Sequence, residues 1–445
     1  MRLSNGGGNA MTLNRRDLLA GIGGFAATAA FTKLGAQLSP ASALGELADG
    51  VAPRAGFPRK DDFIIEEGYT YINAAYTHPI PKVALDAARR AAEGRATLRA
   101  PAAGGAGGRG GRGGGAGAPQ LDAKGLFAEL INAKPSEIAS VSSTSAGENL
   151  VVQALGLDRD FRGNVVSDEL HFDGALLHLM ELKRKGLDVR IVKPTKEFRI
   201  DMKDLEKVVD KNTRLIEVSS AAMYNGFTHD LKAVSDLAHA HGAYVYADII
   251  HSVGAGPFDI KASGVDFAAC SSFKWLMGDF GTGFLYMKEE LLDKIQRPVV
   301  GYYQASAMAG HYPPVEADAE SAVTYALNHT ASGVFESGTF GNTSLLRASL
   351  AYVKELGVAN IEAHRQPLLK KLRDEVPRFG FILVTPPEST GGNITFAKKG
   401  VGQSDLPRKL QTAKVNVRFS THWMRLSPSV YNDMTDIERF LEALS

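Results

Sequence analysis

The stretch AACSSFKWLMGDFGTGFLYM, residues 268–287, places one lysine, Lys274, between two segments with the composition of buried strands. GVDFAAC (264–270) comes just before the lysine, and GTGFLYM (281–287) follows it. An ammonium group is strongly hydrated, and lysine is almost never buried without a partner. The position of Lys274 therefore requires either a side chain that reaches solvent or a chemical role for the amine.

Strand and helix patterns alternate along the chain before this stretch. The predicted strands are IASVSS, NVVSDEL, DVRIVKP, TRLIEVSS and AYVYAD, and segments with helical periodicity, such as AGENLVVQALGL, separate them. The near-continuous apolar strands predict an α/β fold with a mostly parallel sheet that helices cover on both faces. In such a sheet, ligands bind at the carboxyl ends of the strands.

The remaining patterns divide the chain into predicted domains. Residues 61–99 form an N-terminal segment, 120–343 the large domain with the sheet, and 344–445 a smaller C-terminal α+β domain. Between the first two, APAAGGAGGRGGRGGGAGAP (100–119) has no apolar periodicity and is predicted to be a flexible loop. An RNA-binding glycine–arginine segment is the alternative, but the loop has only two arginines and no aromatic residue.

Composition places the chain among ordinary globular proteins. It has 445 residues, of which 44% are hydrophobic and 22% charged, and this length allows two domains. The formal net charge of +1 gives no overall attraction to nucleic acid or to an anionic membrane. Cys270 is the only cysteine, which excludes an internal disulfide and a multi-cysteine metal site; no metal is predicted.

Residues 1–43 have the features of an export signal. NRRDLL (14–19) pairs two arginines ahead of an apolar, glycine-rich run, and ASA (41–43) is a small-residue cleavage sequence. The segment resembles a twin-arginine signal peptide, with Met11 as a second candidate start. It predicts passage through the twin-arginine translocase, a periplasmic or secreted mature protein, and no stable membrane anchor. An uncleaved N-terminal helix is the alternative.

Two strand-to-helix junctions carry groups that suit a phosphate and a planar ring. In SSTSAGENL, Ser143, Thr144 and Ser145 offer hydroxyls and N–H groups at a predicted helix N-terminus, where a phosphate can bind. The same Ser145-x-x-Glu148 spacing is also that of a capping box. In DELHFDG, His171 is either an ordinary junction residue or a flat ring that stacks on an aromatic ligand.

Two further junctions carry a carboxylate and the lysine. In AYVYADIIHS, Asp248 ends a strand, and His251 follows three residues later. Asp248 either caps a turn or, if buried, pairs with a protonated ring nitrogen. Lys274 either extends to solvent or forms a Schiff base with an aldehyde. A phosphate cradle, a stacking ring, a carboxylate and a lysine are together the parts that a pyridoxal 5'-phosphate site requires.

From about Tyr69 to its end, the chain resembles the class V aminotransferases, which are pyridoxal phosphate enzymes of fold type I. It is most similar to the isopenicillin-N epimerase-like and cysteine desulfurase-like branches, and residues 227–287 follow the family pattern with few gaps. The resemblance implies that Lys274 carries the cofactor as a Schiff base and that Asp248 partners the pyridine nitrogen. The other implied cofactor contacts are His171 on the ring face, Asn225 and His251 near the phenolic oxygen, and Thr144, Ser145, Ser271 and Thr339 at the phosphate.

The resemblance also implies a partner and a substrate contact. Thr339, in ESGTFGN, would reach the phosphate of the neighbouring subunit, which implies a homodimer. Arg425, in MRLSPSVYN, would grip a substrate carboxylate as a bidentate fork, with a surface arginine as the alternative. Two departures bear on the reaction type: Thr144-Ser145-Ala146 stands where relatives have Ala-Thr-Glu, and Ser272-Phe273 precedes the lysine where many have Gly-His or Gly-Tyr.

The predicted activity lies at the α-carbon of an amino acid or an exported metabolite derived from one, in a transaminase or an epimerase, with Lys274 as the base. A C–S or β-lyase is an alternative. Desulfuration through a persulfide is disfavoured, because Cys270 lies in a predicted buried strand and TAKVNVRFSTHW (412–423) has no thiol. A non-catalytic periplasmic scaffold protein with this fold is the alternative from another class.

Overall fold

A mostly parallel sheet of seven strands forms the centre of the fold. The structure, a computed structural model, describes residues 56–98, 122–312, 315, 323–338, 343–389 and 391–445. The strands of these residues are β1 (Thr70–Tyr71), β2 (Ile138–Val141), β3 (Asn164–Asp168), β4 (Asp188–Val192), β5 (Thr213–Ser219), β6 (Tyr244–Asp248), β7 (Phe267–Ser271), β8 (Gly283–Met287), β9 (Ala305–Gly310), β10 (Val323–Leu327), β11 (Ile382–Leu383), β12 (Ile394–Ala397), β13 (Val415–Asn416), β14 (Arg418–Phe419) and β15 (Trp423–Leu426). Their α-helices are α1 (Lys82–Ala96), α2 (Ala123–Leu130), α3 (Thr144–Ala154), α4 (Asp173–Lys185), α5 (Met202–Glu206), α6 (Leu231–Ala240), α7 (Ile260–Ser263), α8 (Ala331–Phe335), α9 (Thr343–Leu356), α10 (Val358–Glu375), α11 (Leu406–Thr412) and α12 (Met434–Leu444). The predicted signal (1–43) and the glycine-rich loop (100–119) lie outside the described residues.

The large sheet has the strand order β2-β8-β7-β6-β5-β3-β4. Neighbours from β7 to β4 pair in parallel, whereas β8 runs antiparallel to both β7 and β2. Helices α2 and α6 pack on one face, and α3 and α4 on the other. Because both faces are covered, β3, β7 and β8 are buried along their whole lengths. The predicted α/β fold with a mostly parallel sheet is confirmed.

Strands β5, β6 and β7 end side by side at polar residues. Ser219, the last residue of β5, is the register partner of Asp248 at the end of β6. Asp248 in turn pairs with Ala269, two residues before β7 ends at Ser271. Parallel strands end at the same edge of a sheet, so side chains from distant parts of the sequence meet there. We call this the carboxyl edge.

Helix α3 approaches the large sheet closely at Gly147. A Cβ atom on this residue would lie 2.7 Å from the Cβ of Ala269 on β7, closer than side-chain carbons pack. Glycine therefore allows the helix to lie directly on the strand. This close packing brings the first turn of α3 against the end of β7, at the carboxyl edge.

A second sheet, antiparallel and with the order β11-β12-β15-β14, lies in the C-terminal part. Leu372 of α10 and Phe440 of α12 belong to its core. Ile72 belongs to the same core, and β1 pairs in parallel with β13, so the N-terminal segment packs on this sheet. Leu346 and Leu350 of α9, by contrast, lie in the core of the large sheet. The predicted domain boundaries stay predictions.

Strands β9 and β10 pair in an antiparallel two-stranded sheet that the sequence pattern did not predict. Every residue of β10 is exposed, and so are most of those of β9. A strand exposed on both faces has no alternation of buried and exposed positions, which is the signal that identifies a strand in a sequence.

Candidate active site

Lys274 is buried just beyond the carboxyl end of β7. Its side chain is 9% exposed, and its Nζ lies 3.0 Å from Nε2 of His251 and 6.0 Å from the centre of the Phe172 ring. Burial lowers the pKa of Lys274 to about 8, and the Asp248 carboxylate opposes that shift. Near that pH, about half of the amine is neutral and can act as a nucleophile.

Asp248 faces the same space from the end of β6. Its Oδ1 accepts a hydrogen bond of 2.9 Å from the backbone N–H of Ile250, so the carboxyl group caps the turn that leads to His251. Burial raises the pKa of Asp248 to about 7, while the Ile250 N–H and the charge of Lys274 oppose the shift. A further cation that enters the site would stabilise the charged form of this buried carboxylate.

His171 lies at the junction of β3 and α4, where the sequence predicted a stacking ring. Its Nδ1 is 2.8 Å from the hydroxyl of Ser219, while its buried Nε2 has no hydrogen-bond partner among the described residues. Burial lowers the pKa of His171, which favours the neutral imidazole. Behind it, the buried side chains of His229 and Asp168 lie 3.2 Å apart. The contact from Ser219 fixes the orientation of a flat, neutral ring.

The first turn of α3 and the end of β7 are joined by hydroxyl groups. The hydroxyls of Thr144 and Ser271 lie 3.0 Å apart, and each accepts a hydrogen bond from the backbone N–H of the other residue. The helix cap is Ser143, whose hydroxyl accepts from the N–H of Ala146 at 3.0 Å. The capping-box alternative for Ser145 is therefore wrong. Ser145 lies half-buried in the first turn of α3.

Asn225 is buried, but its amide is used within the loop that follows β5. Its Nδ2 donates to the carbonyl of Phe198 at 2.6 Å, and its Oδ1 accepts from the N–H of Phe227 at 3.0 Å. These contacts brace two backbone segments, and the structure shows no role for Asn225 beyond them. The predicted contact to the cofactor stays a prediction. Thr339 lies outside the described residues.

Arg425, on β15, is 2% exposed although its guanidinium is charged. Its Nη1 donates to the carbonyl of Met223 at 2.7 Å and its Nη2 to that of Ala75 at 2.8 Å, while its Nε has no partner in the described part of the chain. Burial, and then the charge of Arg418, lower the pKa of Arg425 to about 9. Arg425 is therefore no surface residue, and its buried charge would be stabilised by an anion.

The structure adds groups that the sequence reasoning missed. Phe172 packs near Lys274, and Arg365 stacks on Trp275, the residue after the lysine, with its Cζ 4.5 Å from the ring centre. Glu217 lies on β5, and neither of its carboxyl oxygens has a hydrogen-bond partner among the described residues. In the sequence, the one signal for a special role of Glu217 was its position inside the apolar predicted strand TRLIEVSS.

Glu217 leads to a prediction about stability. Burial, and next the charge of Glu148, raise the pKa of Glu217 well above its usual range. Above pH of about 4.3, the folded state therefore keeps a proton that the unfolded chain releases, and the free energy of unfolding falls as the pH rises, by up to about 1.4 kcal/mol per pH unit. Glu217→Gln should remove this dependence. Urea unfolding of both proteins at about pH 5 and about pH 8 checks it, and parallel pH profiles would contradict it.

Comparison with known proteins identifies the family of this chain. Residues 115–440 match the model of the family described as aminotransferase class-V. The chain belongs to this family. A probable cysteine desulfurase of Methanothermobacter thermautotrophicus is 28% identical over 305 residues, which are 68% of this chain and 72% of that protein. The class-V chain is thus a pyridoxal phosphate-dependent enzyme.

Solved structures show the same fold. An apo cysteine desulfurase from Thermococcus onnurineus NA1 superposes with a TM-score of 0.72 at 22% identity, over 88% of this chain and 97% of that one. A C-DES mutant with glycine covalently linked to the pyridoxal phosphate cofactor gives 0.71 at 18% identity, over 87% and 99%. At these identities the likeness concerns the fold alone, which confirms fold type I for the class-V enzyme.

The residues present fit the cofactor of the class-V enzyme. The buried, partly neutral amine of Lys274 suits a covalent link to an aldehyde, and Asp248 suits a protonated pyridine nitrogen. His171, whose Nε2 has no hydrogen-bond partner among the described residues, supplies a flat ring face. The first turn of α3, with its hydroxyl groups, supplies a phosphate site. Lys274, Asp248, His171, Thr144 and Ser271 would hold the group at the carboxyl edge.

Proposed function

We propose that the enzyme moves a proton at the α-carbon of an amino acid, in a transamination or an epimerisation, and that Arg425 holds the substrate carboxylate. The observation that carries the proposal is the buried guanidinium of Arg425, whose Nε is unpartnered in the described structure and which has only backbone carbonyls as hydrogen-bond partners. Its charge also lowers the pKa of Lys274, so the two groups lie within electrostatic reach. An α-carboxylate at Arg425 would therefore present its α-carbon near the amine.

The proposed chemistry divides between the cofactor and the side chains. Pyridoxal phosphate, when bound, supplies an electron-withdrawing ring that acidifies the bonds of the substrate α-carbon. The free amine of Lys274 would take the α-proton, and His251, whose Nε2 lies 3.0 Å from Nζ, would orient that amine. Asp248 holds a proton on the pyridine nitrogen. Arg425 fixes the carboxylate, which orients the bond to be broken.

A C–S or β-lyase is the second candidate, because the relative described above is named a probable cysteine desulfurase. Within this chain, Cys270 is 1% exposed on β7, and burial raises the pKa of its thiol well above the usual range. A thiol of this kind does not form the thiolate that would attack a substrate sulfur. An elimination would therefore release the sulfur group without passing it to a cysteine of this chain.

Product analysis with a panel of L-amino acids tests the proposal. Transamination would leave the cofactor as pyridoxamine phosphate with one equivalent of keto acid, whereas epimerisation would give the D-enantiomer and exchange the α-proton with solvent deuterium. Sulfide or pyruvate released from cysteine would favour the lyase. Absence of α-proton exchange with every amino acid in the panel would contradict the proposal.

Arg425→Lys should keep the charge but lose the planar, paired contact to a carboxylate. We expect KM for amino acids to rise by about tenfold or more, as for the loss of a charge-assisted hydrogen bond. Simple amines without a carboxylate should react no worse than before. Arg373→Lys is a matched control, since Arg373 is also a part-buried arginine that contacts a backbone carbonyl, that of Ser389. Equal losses for amines and amino acids would show that Arg425 supports only the fold.

We also propose that the enzyme is a homodimer, as the family position of Thr339 implies. Large apolar side chains are exposed along one part of the chain, among them Val300, Tyr302, Tyr325 and Leu327. Exposed apolar residues in such number are typical of a surface that another protein covers. Sedimentation equilibrium of the purified protein checks the proposal, and a monomer would contradict it.

We propose further that the mature enzyme is exported by the twin-arginine route. The support is the sequence NRRDLL (14–19) with the cleavage sequence ASA (41–43). Of the helices that the structure describes, none is long and apolar enough to span a membrane. Cell fractionation of the full chain, with replacement of both Arg15 and Arg16 by lysine as the control, checks the proposal.

A further inference from the structure

Two arginines lie directly opposite each other on the C-terminal sheet. Arg418 of β14 is the antiparallel register partner of Arg425 of β15. Side chains of directly paired residues project from the same face of a sheet, with Cβ atoms about 4.5–5.5 Å apart, and like charges in such positions destabilise the pair. The charge of Arg418 indeed disfavours the charged form of Arg425. Arg418 is half-buried, whereas Arg425 is 2% exposed.

Neither arginine forms an ion pair with a carboxylate of the described residues. Arg425 donates to two backbone carbonyls, and the Cζ of Arg418 lies 5.0 Å from the centre of the Tyr76 ring. Arg190 provides a contrast within the same chain, since its guanidinium contacts both Asp188 and Asp210. Arg190 is thus paired with two carboxylates, whereas the described residues supply no carboxylate partner for either arginine of this face.

The face that carries this pair is turned toward the carboxyl edge of the large sheet. Thr395 of β12 is the register partner of Arg425 on its other side, and its hydroxyl donates to the carbonyl of Tyr224 at 2.8 Å. Arg425 contacts the neighbouring carbonyl of Met223. Both carbonyls belong to the loop that follows β5, whose end lies at the carboxyl edge. The guanidinium of Arg425 therefore lies within electrostatic reach of Lys274, and Arg418 lies next to Arg425 on the same face.

Resting on the proposed function, we infer that the substrate is an amino acid with a second acidic group, and that Arg418 binds this group while Arg425 binds the α-carboxylate. Two negative charges on the ligand would balance the two positive charges that have no carboxylate partner among the described residues. A guanidinium is suited to a carboxylate because its planar N–H groups match the two oxygens. Tyr76, beneath Arg418, holds that guanidinium in place without neutralising it. Amino acids with neutral side chains would leave Arg418 unsatisfied.

Binding of unreactive ligands tests the inference separately from turnover. Glutarate and succinate carry two carboxylates, while their monoamides, glutaramate and succinamate, carry one and match them in shape. We expect the holoenzyme to bind a dicarboxylate roughly tenfold or more tightly than its monoamide, measured through the absorbance of the bound cofactor. Arg418→Gln should remove this preference and leave monoamide binding within about twofold, and Arg418→Lys should restore part of it. Arg408→Gln, at an exposed arginine paired with Asp405, is the control.

The outcomes separate this inference from the proposed function. Equal weakening of dicarboxylate and monoamide by Arg418→Gln would show that both arginines share one carboxylate, and this would overturn the inference. An unmodified enzyme that binds both ligands equally, or neither, would also overturn it. The proposed role of Arg425 fails on a different result, namely unchanged binding of both ligands in Arg425→Lys, and the proposed reaction fails on absence of α-proton exchange. Unaltered cofactor absorbance and circular dichroism in each variant show that the fold is intact.

Discussion

Lys274→Ala is expected to abolish turnover, and borohydride reduction of the unaltered holoenzyme should fix the cofactor on a single peptide that contains Lys274. The amine is buried at the carboxyl edge, 3.0 Å from Nε2 of His251. Loss of a general base alone costs about 10²–10⁴-fold in rate, and loss of the covalent anchor adds to this. Peptide mapping of the reduced protein and steady-state assays measure the two effects.

Lys288 offers a matched control for Lys274. It directly follows β8 of the same sheet, and its Nζ lies 2.8 Å from Oδ1 of Asp266 in an ion pair. Lys288→Ala should lower stability but leave the labelled peptide unchanged. Label on any lysine other than Lys274, or on none, would contradict the assignment.

The lowered pKa of Lys274 predicts how the rate of cofactor uptake should depend on pH. Burial lowers it to about 8, and only the neutral amine attacks an aldehyde. The rate at which the cofactor-free protein takes up pyridoxal phosphate should therefore rise with pH and level off above about 8. A rate that keeps rising until the pH reaches the usual pKa of lysine, about 10.4, would show that the reacting amine is exposed.

The sequence predicted the carboxyl edge because strand ends are local features. Asp248 ends the apolar run AYVYAD and Ser271 directly follows the apolar run GVDFAAC, and both are readable without the structure. Once the alternation of strands and helices indicates a parallel sheet, these ends must lie at one edge. The topology of the sheet therefore brings Lys274, Asp248 and His171 close together, and this can be predicted without knowing any side-chain contact.

Contacts that depend on the path of a loop could not be predicted in this way. Asn225 lies at the expected place in the chain, but its amide binds the backbone of Phe198 and Phe227, and nothing local signals this. Similarly, Ser143 and Ser145 both have a residue type that can cap a helix, and only the backbone geometry selects Ser143. The choice depends on two residues of register, which is below the resolution of pattern arguments.

The pairing of Arg418 with Arg425 is a similar case. The two residues are separated by a short turn, and a shift of one residue in that turn would place Arg418 on the opposite face of the sheet. In the sequence, Arg418 is one polar residue in the alternating segment VNVRFS (415–420). The antiparallel register alone makes it a neighbour of the buried arginine.

Asp248→Asn should separate the two roles of this carboxylate. Asparagine retains an oxygen that can accept the 2.9 Å hydrogen bond from the N–H of Ile250, so the turn and the fold should survive. The negative charge that holds a proton on the pyridine nitrogen would be lost. We expect turnover to fall by about 10²-fold or more, as for the loss of a charge-assisted contact, while borohydride still fixes the cofactor on Lys274.

Two further measurements make the test of Asp248 specific. Because the Asp248 carboxylate raises the pKa of Lys274 against the effect of burial, the variant should take up cofactor at lower pH than the unaltered protein does. Asp266→Asn is the matched control, since Asp266 is also a buried carboxylate but contacts His239 and Lys288 away from the site. That variant should lose stability and retain the pH profile of cofactor uptake. Full turnover and an unshifted profile in Asp248→Asn would mean that Asp248 only caps the turn, and that the ring nitrogen keeps its proton by another contact.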